Sequence, residues 1–313
     1  MSKKIATREA YGEALIEVGK KNPKVVVLDA DLSKSTKTAG FGKHFPERFF
    51  NMGIAEQNMV GTAAGLATTG KIPFASTFAM FATGRAFEII RNSIGYPNLN
   101  VKICATHAGL TVGEDGASHQ ALEDIACMRV IPNMTVIVPA DAVEAKAAIH
   151  AISEVEGPVY VRLGRAGVPI INDENNYQFE IGKGVLLKDG KDVTIVATGI
   201  MVTEALAASE ELEAKGLSVR VINIHTIKPI DETIITKAAK ETGAIVTVEE
   251  HNVIGGLGSA VAEVIGENHP VPLKRIGTQD TFGESGKPQE LLEKYGLTKD
   301  HILEAVLDII KKK

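Results

Sequence analysis

The segment Phe49-Phe50-Asn51-Met52-Gly53-Ile54-Ala55-Glu56-Gln57-Asn58 runs into Met59-Val60-Gly61-Thr62-Ala63-Ala64-Gly65-Leu66-Ala67, and it constrains the fold more than any other stretch of the chain. Phe49, Phe50, Met52 and Ile54 have the character of a buried strand, whereas Ala63, Ala64, Leu66 and Ala67 suit the packed face of a helix. Glu56 therefore falls at a strand-to-helix turn, a lone carboxylate at the mouth of an otherwise apolar helix. A glutamate in a helix's first turn gains roughly 0.3–1 kcal/mol from the backbone dipole, so a simple helix-start charge is one reading of it.

Elsewhere, apolar runs of strand length recur between amphipathic stretches, the pattern of parallel sheets covered by helices. Strands are expected at Val25 to Leu28, Phe49 to Met52, Pro73 to Thr77, Val101 to Ala105, Thr135 to Val138 and Val159 to Leu163. Helices are expected at Arg8 to Lys20, Ala55 to Thr68, Gly84 to Ile94 and Ala142 to Ser153, completing one α/β unit over residues 1–171. The polar run Asn172-Asp173-Glu174-Asn175-Asn176-Tyr177 opens a connection over 172–191, with a short strand of its own near Gly184 to Leu187. A smaller α/β unit follows over 192–313, with strands at Val193 to Ala197, Val219 to Ile224 and Ile245 to Val248. Its helices are read at Val202 to Ala214, Glu232 to Lys240 and Ser259 to Ile265. The fold class is thus α/β, two three-layer domains with mainly parallel sheets.

At 313 residues and 44% hydrophobic content, each unit can bury its own core. A formal charge of -5 with no dominant basic patch argues against a nucleic-acid partner, and Lys311, Lys312 and Lys313 make only a short tail. No segment approaches the ~18 consecutive apolar residues of a membrane helix, and the start Met-Ser-Lys-Lys-Ile lacks a secretory apolar core. Cys104 and Cys127 have neither metal spacing nor a disulfide framework, so they read as reduced, buried thiols in a cytoplasmic protein.

Three motifs require a decision. The turn Gly255-Gly256-Leu257-Gly258-Ser259 looks like a phosphate cradle, but neither the dinucleotide nor the P-loop spacing is met, and close helix packing or a subunit contact explains it better. His107, Glu114, Asp115 and His119 have donor atoms suited to a metal, yet they lack the short ligand spacings and thiolates of structural zinc sites. A Gly-rich loop after Val101 to Ala105 instead lies where open parallel sheets bind ligands, with Asp115 and His119 presented inward. Phe78 and Phe81, three apart just past a strand, read either as core or as an aromatic wall for a flat ring, where stacking adds about 0.5–1.5 kcal/mol beyond burial.

Glu56, Thr77-Phe78-Ala79-Met80-Phe81 and the run from Thr106 to Gln120 together resemble the C-terminal half of a transketolase, and the likeness spans nearly the whole chain. It implies an N-terminal pyrimidine-binding domain of a thiamine diphosphate enzyme and a smaller C-terminal domain. In that family a glutamate hydrogen-bonded to the pyrimidine ring promotes the tautomer that accepts the thiazolium proton, and Glu56 matches it. Phe78 and Phe81 match the residues that hold the aminopyrimidine, with Gly84 where many members carry a third aromatic. Arg8, Ser35, His107 and Arg165 match residues that grip the sugar phosphate, with Arg162 as a substitute for Arg165. Asp31 matches an acid near the cofactor, Asp115 the carboxylate that reads the sugar's second hydroxyl, and His119 the imidazole facing the cofactor amino group or the donor oxygen.

One motif is missing from the sequence. The family binds the diphosphate through magnesium with Gly-Asp-Gly and a later Asn, and here Asp115-Gly116 followed by Asn133 has the wrong spacing. The resemblance therefore implies an N-terminal transketolase subunit that carries the diphosphate-binding domain and the magnesium ligands, in a heterotetramer with two copies of each chain. Rival readings are a deoxyxylulose phosphate synthase, the beta chain of a 2-oxoacid dehydrogenase, and a catalytically silent regulatory or scaffold subunit. Thr106-His107 with Val112-Gly113-Glu114-Asp115-Gly116 favours transketolase over the first two.

Overall fold

In a computed structural model, residues 4–313 are described; the opening residues 1–3, on which the reading of the N-terminus partly rests, lie outside the described residues. The strands of the first half are β1 (Lys4–Ala6), β2 (Val25–Asp29), β3 (Phe49–Asn51), β4 (Ile72–Phe78), β5 (Lys102–Thr106), β6 (Thr135–Ile137), β7 (Val159–Arg162) and β8 (Gly167–Pro169). They are followed by β9 (Val185–Lys188), β10 (Val193–Ala197), β11 (Val219–Asn223), β12 (Thr226–Lys228), β13 (Ile245–Asn252) and β14 (Leu273–Thr278). Among the described residues, one sheet has seven strands in the order β12-β6-β7-β5-β4-β2-β3, and a second has five in the order β14-β13-β10-β11-β9. Both are parallel apart from one antiparallel edge strand each, β12 on β6 and β9 on β11.

The strand sequences explain the layering. In β2, Val26 and Leu28 join one apolar cluster while Val25 and Val27 join another, so the period-2 alternation buries both faces of the sheet. One face is covered by the helix Glu56–Thr68 through Met59, Val60 and Ala63, the other by Thr7–Lys21 and Ala142–Glu154 through Tyr11, Leu15, Ala145 and Ile149. The first of these clusters continues into Val196, Ile224, Ile235 and Val261 of the second half, so the two sheets share apolar packing. Among the described residues no helix is long and apolar enough to cross a membrane.

Several local expectations change. The helix read at Gly84 to Ile94 is wound partly as π-helix, over Phe81–Arg85 and Ile90–Gly95. There the Thr83 hydroxyl donates to the Ala79 carbonyl at 2.8 Å and competes with the backbone ladder. Phe50 and Ile54, expected to be buried, are exposed, the first because β3 is an edge strand and the second because it lies in the turn after it. Cys127 is only partly buried, and both cysteines are free thiols. Beyond Ile265, where the sequence reading assigned nothing, lie β14 and the helices Pro288–Lys294 and Lys299–Ile310. The strand β12, which no sequence pattern marks, crosses from the second half to complete the first sheet.

A buried polar cluster pins the halves together. Asp141 caps the helix Ala142–Glu154 by accepting from the Glu144 amide at 2.8 Å, and its other oxygen accepts from the Ile171 and Asn172 amides at 2.8 Å each. Glu144 accepts from the Ala140 amide at 2.6 Å, from Asn223 Nδ2 at 2.9 and 3.1 Å, and from the Tyr177 hydroxyl. Burial pushes the Glu144 carboxyl up from 4.5 to about 7, against the hydrogen bonds that favour its charge. The folded chain therefore holds a proton there that the unfolded chain has released, and this contribution to stability is lost as pH rises from about 4.5 to about 7. In thermal melts, Glu144→Gln should flatten the fall of Tm between about pH 5 and about pH 7.5 without abolishing it, because Glu250 is also raised to about 7. A slope identical to wild type would refute the assignment.

Candidate active site

The carboxyl ends of five neighbouring strands, in the spatial order β7-β5-β4-β2-β3, deliver Arg165, His107, Phe78, Asp31 and Glu56 to one rim of the large sheet. This is the edge at which open parallel sheets bind ligands.

Glu56 begins the helix Glu56–Thr68 and is 1% exposed. The turn before it is held by a short relay, in which Asn51 donates to Asp31 at 3.0 Å and accepts from the Gly53 amide at 3.0 Å. Arg85, whose side chain is 47% exposed, donates to Glu56 Oε2 at 2.8 Å and lies 4.5 Å over the Phe81 ring. Phe78 and Phe81 stack at 5.8 Å with an interplanar angle of 15°, and His119 meets Phe81 edge-on at 5.4 Å. These aromatic rings thus form a wall next to a buried carboxylate. A cavity of about 450 Å³ opens alongside, lined by Met80, Ser118, Gln120, Leu122 and Phe282 among others.

His107 stacks on Phe78 at 3.8 Å, and its backbone has a φ of 58°. Asp31 shares that left-handed region at 64°, as do Lys37, Asn98, Asn133 and Asp280, a conformation uncommon for residues that carry a side chain. Arg8 Nη1 is 3.1 Å from His107 Nε2 and donates to the Ser35 carbonyl at 2.9 Å. A guanidinium only donates, so Nε2 accepts and the ring proton lies on Nδ1, donating to Thr106 Oγ1 at 2.9 Å. Burial, together with the charges of Arg8 and Arg165, pushes His107 down to about 3 and keeps the ring neutral. Ser35 is carried by the short helix Ser33–Thr36, which is anchored on buried Asp29; this carboxylate accepts from the Leu32 amide at 2.6 Å and from the hydroxyls of Thr36 at 2.6 Å and Thr38 at 2.8 Å.

The loop from Gly109 to Gln120 contains a 3-10 turn over Leu110–Asp115. Arg165 ties onto it through the Val112 carbonyl and through Glu114 at 3.2 Å. Asp115 is exposed rather than inward, because Gly113 and Gly116 back against the segment from Ser285 to Pro288 and leave Glu114 and Asp115 on the outer side. Among the described residues no group of three or more His, Cys, Asp or Glu is arranged to hold a metal ion. Nor does Arg162 substitute for Arg165: it is 7% exposed, pairs with Asp124 at 2.8 Å, and donates to the Ala121 and Glu250 carbonyls. The Gly255–Gly258 turn does bind an anion, but the anion is the chain's own Glu249, which accepts from the Leu257 amide at 2.7 Å and the Gly258 amide at 2.8 Å. A Cβ on Gly256 would lie 2.0 Å from that carboxylate.

The sequence reading missed Arg85, Asp29 and Glu250. Arg85 and Glu250 act through partners distant in sequence, Glu56 and Thr111, whereas Asp29 bonds Leu32, Thr36 and Thr38 close by, and the Asp29-Ala30-Asp31 pair at a strand end is a visible signal.

The description "Transketolase, pyrimidine binding domain" fits residues 3–170, and "Transketolase, C-terminal domain" fits residues 182–302. A putative transketolase C-terminal section from Methanocaldococcus jannaschii is 60% identical, over 97% of this chain and 96% of its own length. A 6-deoxy-6-sulfo-D-fructose transketolase subunit from a Clostridium species is 46% identical, over 98% and 95% respectively. Among solved structures, a split-gene transketolase described as an inactive β4 tetramer superposes with a TM-score of 0.92 at 62% identity, covering 98% of this chain and 99% of that one.

The two arginines separate cleanly in their effect on folding. Arg162→Met should cost about 3–5 kcal/mol in urea denaturation, since it strands the buried Asp124 carboxylate. Arg165→Ala, whose partner Glu114 is exposed, should stay within about 1 kcal/mol of wild type.

Proposed function

The chain belongs to the transketolase family, and on that premise we propose that it serves as the C-terminal subunit of a split transketolase, moving a two-carbon ketol unit between ketose and aldose phosphates. We place the pyrimidine-binding domain at residues 1–171 and the C-terminal domain at 192–313, with the connection 172–191 contributing its strand β9 to the second sheet. The observation that carries this reading is the buried Glu56 carboxylate beside the parallel rings of Phe78 and Phe81.

These residues fit the pyrimidine half of thiamine diphosphate: a flat apolar wall for the ring and a carboxylate shielded from water for its ring nitrogen. Bound there, the cofactor supplies a nucleophilic thiazolium carbon. Glu56 holds the proton at the pyrimidine nitrogen, and its burial strengthens that hydrogen bond. His119, edge-on to Phe81, faces the cofactor amino group or the donor oxygen. Arg8, Ser35, His107 and Arg165 form a basic mouth for the sugar phosphate, and Asp115 reads a sugar hydroxyl. With His107 Nε2 occupied by Arg8, phosphate binding turns the guanidinium toward the oxygens and frees the imidazole.

The diphosphate and its magnesium are held by a partner subunit, in a heterotetramer of two copies of each chain. The similarity to a split-gene transketolase whose β4 tetramer is inactive supports a need for that partner. So do the exposed Phe50 and Ile54, on the edge strand and the turn leading to Glu56. The two free thiols support a reducing, cytoplasmic setting. A relative is named for a sulfonated ketose, so a panel of ketose phosphates and sulfonates is the assay that assigns the donor.

Purified chain alone should show no ketol transfer, and adding the diphosphate-binding subunit should restore it; full turnover without a partner would sink the proposal. In the reconstituted complex, Glu56→Ala should lower kcat by about 100-fold or more while sedimentation still reports the intact assembly. Arg8→Ala and Arg165→Ala should raise KM for phosphorylated donors about ten-fold or more and leave unphosphorylated ones little changed.

A further inference from the structure

The sugar-facing loop is shaped from behind by the C-terminal domain. Its inner side belongs to that domain: Leu110 is buried in the same apolar cluster as Leu291 and Leu292. Glu250, on β13, accepts the Thr111 amide at 2.6 Å. The same carboxylate sits directly under Gly109, where a Cβ would lie 2.2 Å from its carbon, and the glycine's φ of +83° suits no side chain. Gln120 closes the loop from the other end, donating to the carbonyls of Leu110 at 3.2 Å, Gly113 at 3.3 Å and Glu284 at 2.9 Å. Arg162 fixes the register of the two elements by donating to Ala121 and Glu250 carbonyls at once, at 3.2 and 2.9 Å. The outer side of the loop carries Asp115 and His119.

We propose that Glu250 is a positioning residue for sugar recognition: by holding the Thr111 amide it sets the height and pitch of the Gly109–Gln120 loop, so that the C-terminal domain, which contributes no side chain to the aromatic wall, tunes the affinity for the sugar. This rests on the reading that the outer side of the loop faces the sugar phosphate. A buried carboxyl group suits the task because one of its oxygens accepts a single backbone amide and so fixes the loop without filling the space in front of it.

The test compares Glu250→Ala and Glu250→Gln in the complex with the diphosphate-binding subunit, and measures amide hydrogen exchange across residues 109–116 in the full-length chain. Glu250→Ala should lose exchange protection at Thr111 and raise the sugar-phosphate KM about ten-fold with kcat within about two-fold. Glu250→Gln keeps an acceptor for the amide and should restore both protection and KM. If the Ala variant does not fold, Glu250→Asp, shorter by one methylene, should show the same split in smaller measure, and a wild-type KM for Asp would overturn the proposal. Lost protection with unchanged KM would overturn it too, as would a fall of kcat and Tm together with KM constant. A wild-type complex that turns over no sugar phosphate would refute the functional reading instead, and the exchange data would still decide whether Glu250 holds the loop.

Discussion

The Arg162 guanidinium, buried where the two sheets meet, is the contact on which the geometry of the site depends. A cation 7% exposed is tolerable only if it is paired, because desolvating it costs several kcal/mol. It is answered by Asp124 on the helix Asp124–Arg129, by the Ala121 carbonyl at the end of the Gly109–Gln120 loop, and by the Glu250 carbonyl on β13. Tyr160 adds a hydrogen bond to the same Asp124 oxygen at 2.7 Å. None of these elements can shift without stranding a buried charge. The loop, the first sheet and the C-terminal domain are therefore held as one unit.

On that frame, the site residues occupy only one side of the space a cofactor would need. The strand ends provide an acid, an aromatic wall and a basic mouth, and the remaining side is open. In the chain as it stands, Arg85 covers the Glu56 carboxylate and lies over Phe81, so this buried acid of the rim has a counter-charge before any ligand arrives. That pairing explains how a carboxylate at 1% exposure persists at the mouth of an apolar helix.

Much of this was legible in the chain. The six strands read in the first half all appear at or within a few residues of their expected positions: five are mostly apolar runs buried in the sheet, whereas β3 is an exposed edge marked by Phe49 and Phe50 before the turn to Glu56. Elements that were missed failed for identifiable reasons. The strand β14 is an edge whose exposed Lys274 and Arg275 mask its apolar pattern. The terminal helix did carry a signal in Ile302, Leu303, Val306 and Ile309, at helical spacing. The strand β12 was too short to be seen locally, and it exists because the first sheet offers it an edge.

The sequence by itself determined the fold class and the candidate residues of the site, because apolar period and residue type are local properties: a strand, a turn and Glu56 lie within eight residues of one another. Only the tertiary structure decided which groups meet. Arg85 on Glu56, Arg8 on His107 and Glu250 on Thr111 join positions 29, 99 and 139 residues apart, and their pairing depends on strand order and on the burial of each charge. It also decided between Arg162 and Arg165, which the sequence left as alternatives. Three residues apart at the end of β7, one guanidinium turns inward to buried carboxylates while the other remains at the rim.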